Sequence, residues 1–213
     1  MQATRIIAVR HGETAWNVDT RIQGLRNIPL NEQGTWQAER LAQALRGHAP
    51  FAAIYSSDLQ RTMDTATPIG GATGMQVTPE PGLRERGFGE FEGLTFSELE
   101  RHSPMDTVRW RQRDPDWAPP GGETLRTVRE RITATVDRLA ERHLGEQIVL
   151  VTHGGVLDAL YRVAAHLDIQ APRTWQLGNA SINRLLWTPD GMSVVGWADT
   201  AHLQEAWLDE ATT

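Results

Sequence analysis

Cysteine is absent from this 213-residue chain, and so is lysine: all 21 of its Lys and Arg residues are arginine. Without cysteine there is no disulfide, no thiolate nucleophile and no thiolate-held zinc or iron–sulfur centre. Cysteine usage therefore says nothing about redox compartment. Without lysine there is no Walker-type phosphate loop, no Schiff base and no pyridoxal anchor. The arginine bias itself is read as genomic codon composition. No run of 18 apolar residues occurs, and Met1-Gln2-Ala3-Thr4-Arg5 does not open a signal peptide. A soluble, cytoplasmic protein with no membrane partner is the expectation. The formal net charge of -6 also argues against a nucleic-acid partner. An anionic ligand must then be drawn by a local cluster, against the overall field.

What is present is an ordinary globular composition, 39% hydrophobic and 23% charged, in a length that suits one domain over 1–213. Ile6-Ile7-Ala8-Val9 is a short continuous apolar run of the kind buried on both faces of a parallel sheet. Ala38, Leu41, Ala42 and Leu45 follow at helical spacing. A second unit runs from a strand at Phe51–Tyr55 into a helix from about Asp58. A third runs from Ile148–Val151 into a helix carrying Leu157, Leu160, Tyr161 and Ala164. Leu125, Val128, Ile132, Val136 and Leu139 predict a long helix before it. Ile182–Trp187 and Val194–Trp197 read as a late strand pair around a Pro189-Asp190-Gly191 turn. Strands alternating with helices argue an α/β fold with a mostly parallel sheet. The stretch 92–120, rich in Arg, Trp and Pro, breaks the alternation and reads as an insertion over one end of the sheet.

Ligands of open α/β sheets sit at the carboxyl ends of the strands. The three ends here read Arg10-His11-Gly12, Ser56-Ser57-Asp58-Leu59-Gln60-Arg61 and Thr152-His153-Gly154-Gly155. One histidine after a strand is usually structural. Two His-Gly pairs, each closing a buried strand, argue a shared site. Arginine forks match phosphate oxygens, and glycine lets backbone amides approach an anion. With no cysteine, histidine is the available nucleophile. Two histidines would also suit a metal. No His-x-x-x-His, Glu-x-x-His or carboxylate cluster accompanies them, so neither metal nor cofactor is expected.

Further motifs extend the series: Glu13-Thr14-Ala15-Trp16-Asn17, Arg21-Ile22-Gln23-Gly24, Leu83-Arg84-Glu85, Pro120-Gly121-Gly122-Glu123-Thr124 and Asn179-Ala180-Ser181. Together with the three strand ends, this ordered series resembles the histidine phosphatase superfamily, the phosphoglycerate mutase-like proteins. The resemblance implies a three-layer α/β sandwich, with helices on both faces of the sheet. It implies that His11 attacks the phosphoryl group and becomes phosphohistidine. Arg10, Arg61 and His153 would surround the phosphoryl oxygens, with Asn17, Gln23, Gly24 and Gly154 along the same pocket. Glu85 would be the general acid, then the base that activates water.

Other residues have blander expected roles. Arg84 and Arg86, flanking Glu85, are expected in solvent. Glu13 and Trp16 are expected to support the first loop. Arg109, Arg111 and Arg113 read as a solvated helix face, the alternative being positive charge over the site. Trp110 and Trp117 suit either a leaving-group wall or packing of the insertion. The tryptophans as a set read mostly as core filling.

Phosphatases and mutases of this type share the phosphohistidine and differ in what accepts the phosphoryl group. The interval from Glu85 to His153 is compact, and Pro-Gly-Gly-Glu-Thr and Gln23 resemble the phosphatase branch. The expectation is a metal-independent phosphomonoesterase acting on a small phosphorylated metabolite. A cofactor-dependent phosphoglycerate mutase is the alternative, and a non-catalytic phospho-ligand binder a weaker one. A homodimer is expected on base rates.

Overall fold

The computed structural model describes residues 2–48 and 50–204; Trp207 lies outside them. Six strands form one sheet: β1 (Thr4–Arg10), β2 (Ala53–Ser56), β3 (Val77–Pro79), β4 (Gln147–Thr152), β5 (Ile182–Thr188) and β6 (Gly191–Asp199), in the order β3-β2-β4-β1-β5-β6. β3, β2, β4 and β1 run parallel, while β5 and β6 add an antiparallel edge. The expected mostly parallel sheet with a late hairpin is thus observed.

The alternation of side chains along the central strands builds two cores. Ile6 and Ala8 of β1, with Ile148 and Leu150 of β4, face one way. They pack on α6 (Leu125–Glu141) through Val128, Ile132, Val136 and Leu139, and on α7 (Gly154–Ala164) through Leu157 and Leu160. Ile7, Val9, Val149 and Val151 face the other way, onto Leu41 and Leu45 of α2 (Glu32–Arg46) and Ala66 and Ile69 of α3 (Gln60–Thr73). Each fully buried aliphatic side chain contributes roughly 1.5–3 kcal/mol. The result is the expected three layers, with strand ends held rigidly at one edge.

The insertion has a small apolar cluster of its own. It holds the short helices α4 (Phe96–His102) and α5 (Pro104–Arg111), which follow α1 (Ala15–Val18), α2 and α3 in the chain. Phe91, Leu99 and Trp117 form its buried centre, with Ile22, Phe88, Leu94 and Trp110 against it. Phe88 and Phe91, just ahead of residue 92, share this cluster with the insertion. Backbone hydrogen bonds between Ile22 and Leu94 and between Gly93 and Ile22 fasten it to the loop after α1. Strand β3 was not legible in the sequence. Three residues are too short to show a period, and Pro79 is tolerated because β3 lies at the sheet edge.

The first turn of α2 presses on the loop that follows β1. A Cβ built on Gly34 would lie 2.0 Å from the Glu13 carbonyl oxygen, and one on Gly12 would lie 2.4 Å from that of Gly34. Gly34→Ala is therefore expected to destabilise the protein by about 1–3 kcal/mol and to displace the loop carrying His11. Urea denaturation alongside turnover checks this; full stability with full turnover would contradict the close approach.

Candidate active site

Three strand ends and one long loop converge. His11 follows β1, Ser57 and Arg61 follow β2, and His153 caps α7 after β4. The register of β1, β4 and β2 pairs Arg10 with Thr152 and Ser56 with Val151, which brings these ends level.

His11 is buried, and its Nδ1 lies 2.7 Å from the Gly12 carbonyl oxygen. A carbonyl only accepts, so Nδ1 carries the proton and Nε2 presents its lone pair. The Arg61 Nε–H reaches that lone pair at 3.3 Å. Burial, then the charges of Arg61 and Arg10, hold the imidazole pKa well below its usual value. His11 is therefore neutral, as a nucleophile must be.

His153 is fully buried, with its ring centroid 5.3 Å from that of His11. Its Nε2 lies 2.9 Å from Ser57 Oγ, and its Nδ1 has no hydrogen-bond partner. Ser57 Oγ also accepts from the Leu59 amide, and among the described residues its own proton has His153 Nε2 as its acceptor. Nδ1 is then the protonated nitrogen, a buried donor awaiting an acceptor. Burial first, then Arg61, His11 and Arg10, depress the pKa of this imidazole also. Sequence reading gave Ser57 no role; only its distance to His153 reveals one.

Two arginines complete the cationic wall. Arg61 donates to the carbonyls of Arg26 and Gly24, both at 2.8 Å. Burial pushes its pKa down to about 10, so it stays charged at neutral pH. Arg10 donates through Nη1 to the Leu177 carbonyl, and its Nε is buried without a partner. Glu85 is the acid within electrostatic reach of both arginines. Its carboxylate accepts from the Arg86 amide at 2.8 Å and from the Gly155 amide at 2.9 Å, in the first turn of α7. The helix N-terminus thus serves the acid. A Cβ on Gly155 would lie 2.2 Å from Glu85 Oε1, so Gly155 belongs to the site although it was expected only as part of a motif. Gly154 borders Arg10, whose Nε would be 3.5 Å from a Cβ there.

Asn17, Gln23 and Gly24 line a cavity of about 160 Å³ together with Arg10, His11, Arg61 and Glu85. Asn17 Oδ1 accepts from Thr14 and from Asn179 Nδ2. Asn179 also donates to the carbonyls of His11 and Gly12, so the late segment ties down the first loop. Gly24 has φ +52, and a Cβ there would lie 2.1 Å from Glu92 Oε1. All nine expected site residues are brought together.

Several expectations are corrected. Arg86 is not in solvent: it is 6% exposed, with Phe88, Trp110 and Trp117 rings within 5.3–5.8 Å of its guanidinium carbon. Arg84 does reach solvent, its side chain 44% exposed, while it pairs with Asp58 at 2.5 Å. Arg109 and Arg111 do lie on an exposed face, whereas Arg113 turns inward to Asp158 at 2.7 Å. Glu13 and Trp16 are loop supports as expected, the former through Asn31 and the latter beside Gly93. Trp110 stacks on Phe88 at 4.9 Å and borders both the cavity of about 160 Å³ and a second one of about 410 Å³, while Trp117 packs the insertion. Trp16, Trp36, Trp110 and Trp197 are only half-buried, so core filling describes the remaining described tryptophans alone.

The family model of the histidine phosphatase superfamily (branch 1) matches residues 6–200. The chain belongs to this superfamily. Among curated proteins it is 36% identical to phosphoglycerate mutase-like protein 4 of Arabidopsis thaliana, covering 94% of this chain and 87% of that one. It is also 36% identical to a metal-independent phosphoserine phosphatase of Arabidopsis thaliana, over 95% and 84% of the two chains. The solved mycobacterial glucosyl-3-phosphoglycerate phosphatase in complex with VO3 superposes with a TM-score of 0.82 at 33% identity, over 92% of this chain and 99% of that one. Among the described residues, no helix is long and apolar enough to cross a membrane.

Two predictions follow from the imidazoles. Ser57→Ala removes the donor to His153 Nε2 and frees the proton to move between ring nitrogens. We expect kcat to fall roughly tenfold with KM nearly kept, the worth of one buried hydrogen bond. Nitrogen NMR of His153 should change from one fixed tautomer to a mixture, and unchanged spectra would contradict the assignment. The pH prediction concerns stability. Both histidines have folded pKa values below the unfolded 6.5, so the unfolded chain binds more protons in the window beneath it. Stability is full above that value and falls as pH drops through the window. Urea midpoints should decline from about pH 7.5 to 5.5, with a shallower slope in His153→Asn.

Proposed function

We propose that this protein is a metal-independent phosphomonoesterase for small phosphorylated metabolites, working through a phosphohistidine on His11. The observation that carries this reading is a neutral His11 whose Nε2 lone pair faces the Arg61 Nε–H among buried cations, with its other nitrogen pinned to Gly12.

The chemistry follows from these positions. His11 Nε2 attacks phosphorus in line, and the ester P–O bond breaks. Arg10, Arg61 and the His153 Nδ1–H take the phosphoryl oxygens, where charge must be held in the transition state. Glu85, protonated, gives its proton to the leaving oxygen. The Glu85 carboxylate then takes a proton from water, whose oxygen attacks phosphorus and breaks the P–N bond. Phosphate leaves, and His11 returns neutral. Asn17, Gln23 and Gly24 border the phosphoryl oxygens in this scheme.

The test is phosphate release from a panel of esters in EDTA. His11→Ala should abolish release. Glu85→Gln should lower kcat by about 10²–10⁴-fold on alkyl phosphates. The loss should be much smaller on p-nitrophenyl phosphate, whose leaving oxygen needs little protonation. An equal loss on both esters would remove Glu85 from the acid role. Formation of 2-phosphoglycerate from 3-phosphoglycerate without phosphate release would replace the phosphatase reading with the mutase.

A further inference from the structure

An acid can serve a leaving oxygen only from a fixed main chain, and residues 84–88 belong to no helix or strand. The backbone carbonyls around Glu85 must therefore find partners elsewhere. We propose that Arg131 of α6, clamped by Glu123, is a positioning residue that holds Glu85 where it can protonate the leaving oxygen. The inference rests on the phosphatase reading, in which Glu85 is the acid.

Every N–H donor of the Arg131 guanidinium is engaged. Nη1 donates to the carbonyls of Gly82 and Arg84, both at 2.9 Å, and Nη2 donates to that of Glu85 at 3.4 Å. The remaining donors, on Nε and Nη2, meet the two Glu123 carboxylate oxygens at 3.1 and 3.0 Å. A planar fork reaches acceptors in two directions at once, which a single ammonium cannot do. Glu123 grips the other end of the segment. Its Oε2 accepts from the Gly87 amide at 2.8 Å, and its own amide donates to the Gly87 carbonyl at 2.8 Å. Glu85 thus lies between two held ends. The Arg86 and Gly155 amides meet its carboxylate, but they fix its direction only while its Cα stays in place.

The Pro120-Gly121-Gly122-Glu123-Thr124 segment, which takes no part in the phosphoryl pocket, gains a role in this way. A Cβ on Gly122 would lie 2.6 Å from the Gly87 carbonyl oxygen, so glycine lets the two segments meet. The Thr124 side chain accepts from the Thr127 amide and caps α6, the helix that brings Arg131. Glu123 also offsets the Arg131 charge, which unpaired would oppose a protonated acid beside it.

The test compares kcat/KM, which covers the steps up to departure of the alcohol, for an alkyl phosphate and for p-nitrophenyl phosphate. Arg131→Gln should lower it roughly 10- to 100-fold on the alkyl ester and less than about threefold on p-nitrophenyl phosphate, because a displaced acid is missed only where the leaving oxygen needs a proton. Inhibition by inorganic phosphate should be unchanged. In a Glu85→Gln background, adding Arg131→Gln should cost less than about threefold more on the alkyl ester, since Arg131 acts through the missing acid. Equal losses on both esters, or losses that multiply in the double variant, overturn the proposal and leave Arg131 a structural tie. Leu139→Val loosens the buried face of the same helix about two turns further on and should keep the unmodified ratio between the esters. A ratio altered as in Arg131→Gln would show that any loosening of α6 suffices, and would overturn the proposal. If Arg131→Gln does not fold, Arg131→Lys keeps the charge beside Glu123 but cannot reach the Gly82, Arg84 and Glu85 carbonyls together. The same selective loss is expected there, and an unmodified ratio overturns the proposal. If the unmodified enzyme releases phosphate from no ester, the phosphatase reading falls and the proposal with it. Normal release with an unselective loss in the variant sinks the proposal alone.

Discussion

The site depends on keeping positive charge buried without a direct ion pair: among the described residues neither Arg10 nor Arg61 forms a salt bridge, and Glu85 acts on both through space. Arg10 and Arg61 lie beside two imidazoles that burial and those same arginines hold neutral. Neutrality leaves His11 Nε2 its lone pair and keeps the cluster from holding four mutually repelling cations. His153 Nδ1 and Arg10 Nε are buried without a hydrogen-bond partner, and the His11 Nε2 lone pair accepts from Arg61 Nε–H. The protein spends stability on this arrangement, and the two hydrophobic cores on either side of the sheet hold it together.

Proton placement inside the cluster is set by neutral groups at its margin. A carbonyl fixes the proton of His11 and a hydroxyl fixes that of His153. The two rings carry their protons on the same nitrogen yet play opposite parts. In the proposed reaction one would offer a lone pair to phosphorus, and the other an N–H to oxygen. A charged partner at either place would stabilise the imidazolium and defeat the nucleophile. Glycine contributes through close approach: Gly34 lets α2 reach the first loop, and Gly155 lets α7 reach Glu85.

The insertion supplies part of the walls around the site. Its aromatic cluster carries Trp110 to the border between the cavities and shields the Arg86 guanidinium. Through Arg113 it is tied to Asp158 of α7 and to the Ile169 carbonyl. The walls of the larger cavity therefore come from the insertion, from α7 and from the loop ahead of β5. They are stiffened by a buried ion-pair network in addition to apolar packing.

The sequence by itself determined the sheet and the residues that gather at its edge, while the layers were implied by the family resemblance. Unbroken apolar runs such as Ile6–Val9 and Ile148–Val151 need burial on both faces, and residues closing such strands share one edge. His11, Arg61 and His153 were legible for that reason, and Glu85 through its motif. Only the tertiary structure decided the partners that are distant in sequence. Ser57 meets His153 across 96 positions, and Gly155 meets Glu85 across 70. Arg86 looked like a solvated charge because charge pattern cannot foresee three aromatic rings closing around it. Asp158 sat inside an amphipathic helix with nothing to mark it. Periodicity records which face is buried, but a hydrogen bond or a cation–π contact depends on where two distant side chains arrive, which the fold alone fixes.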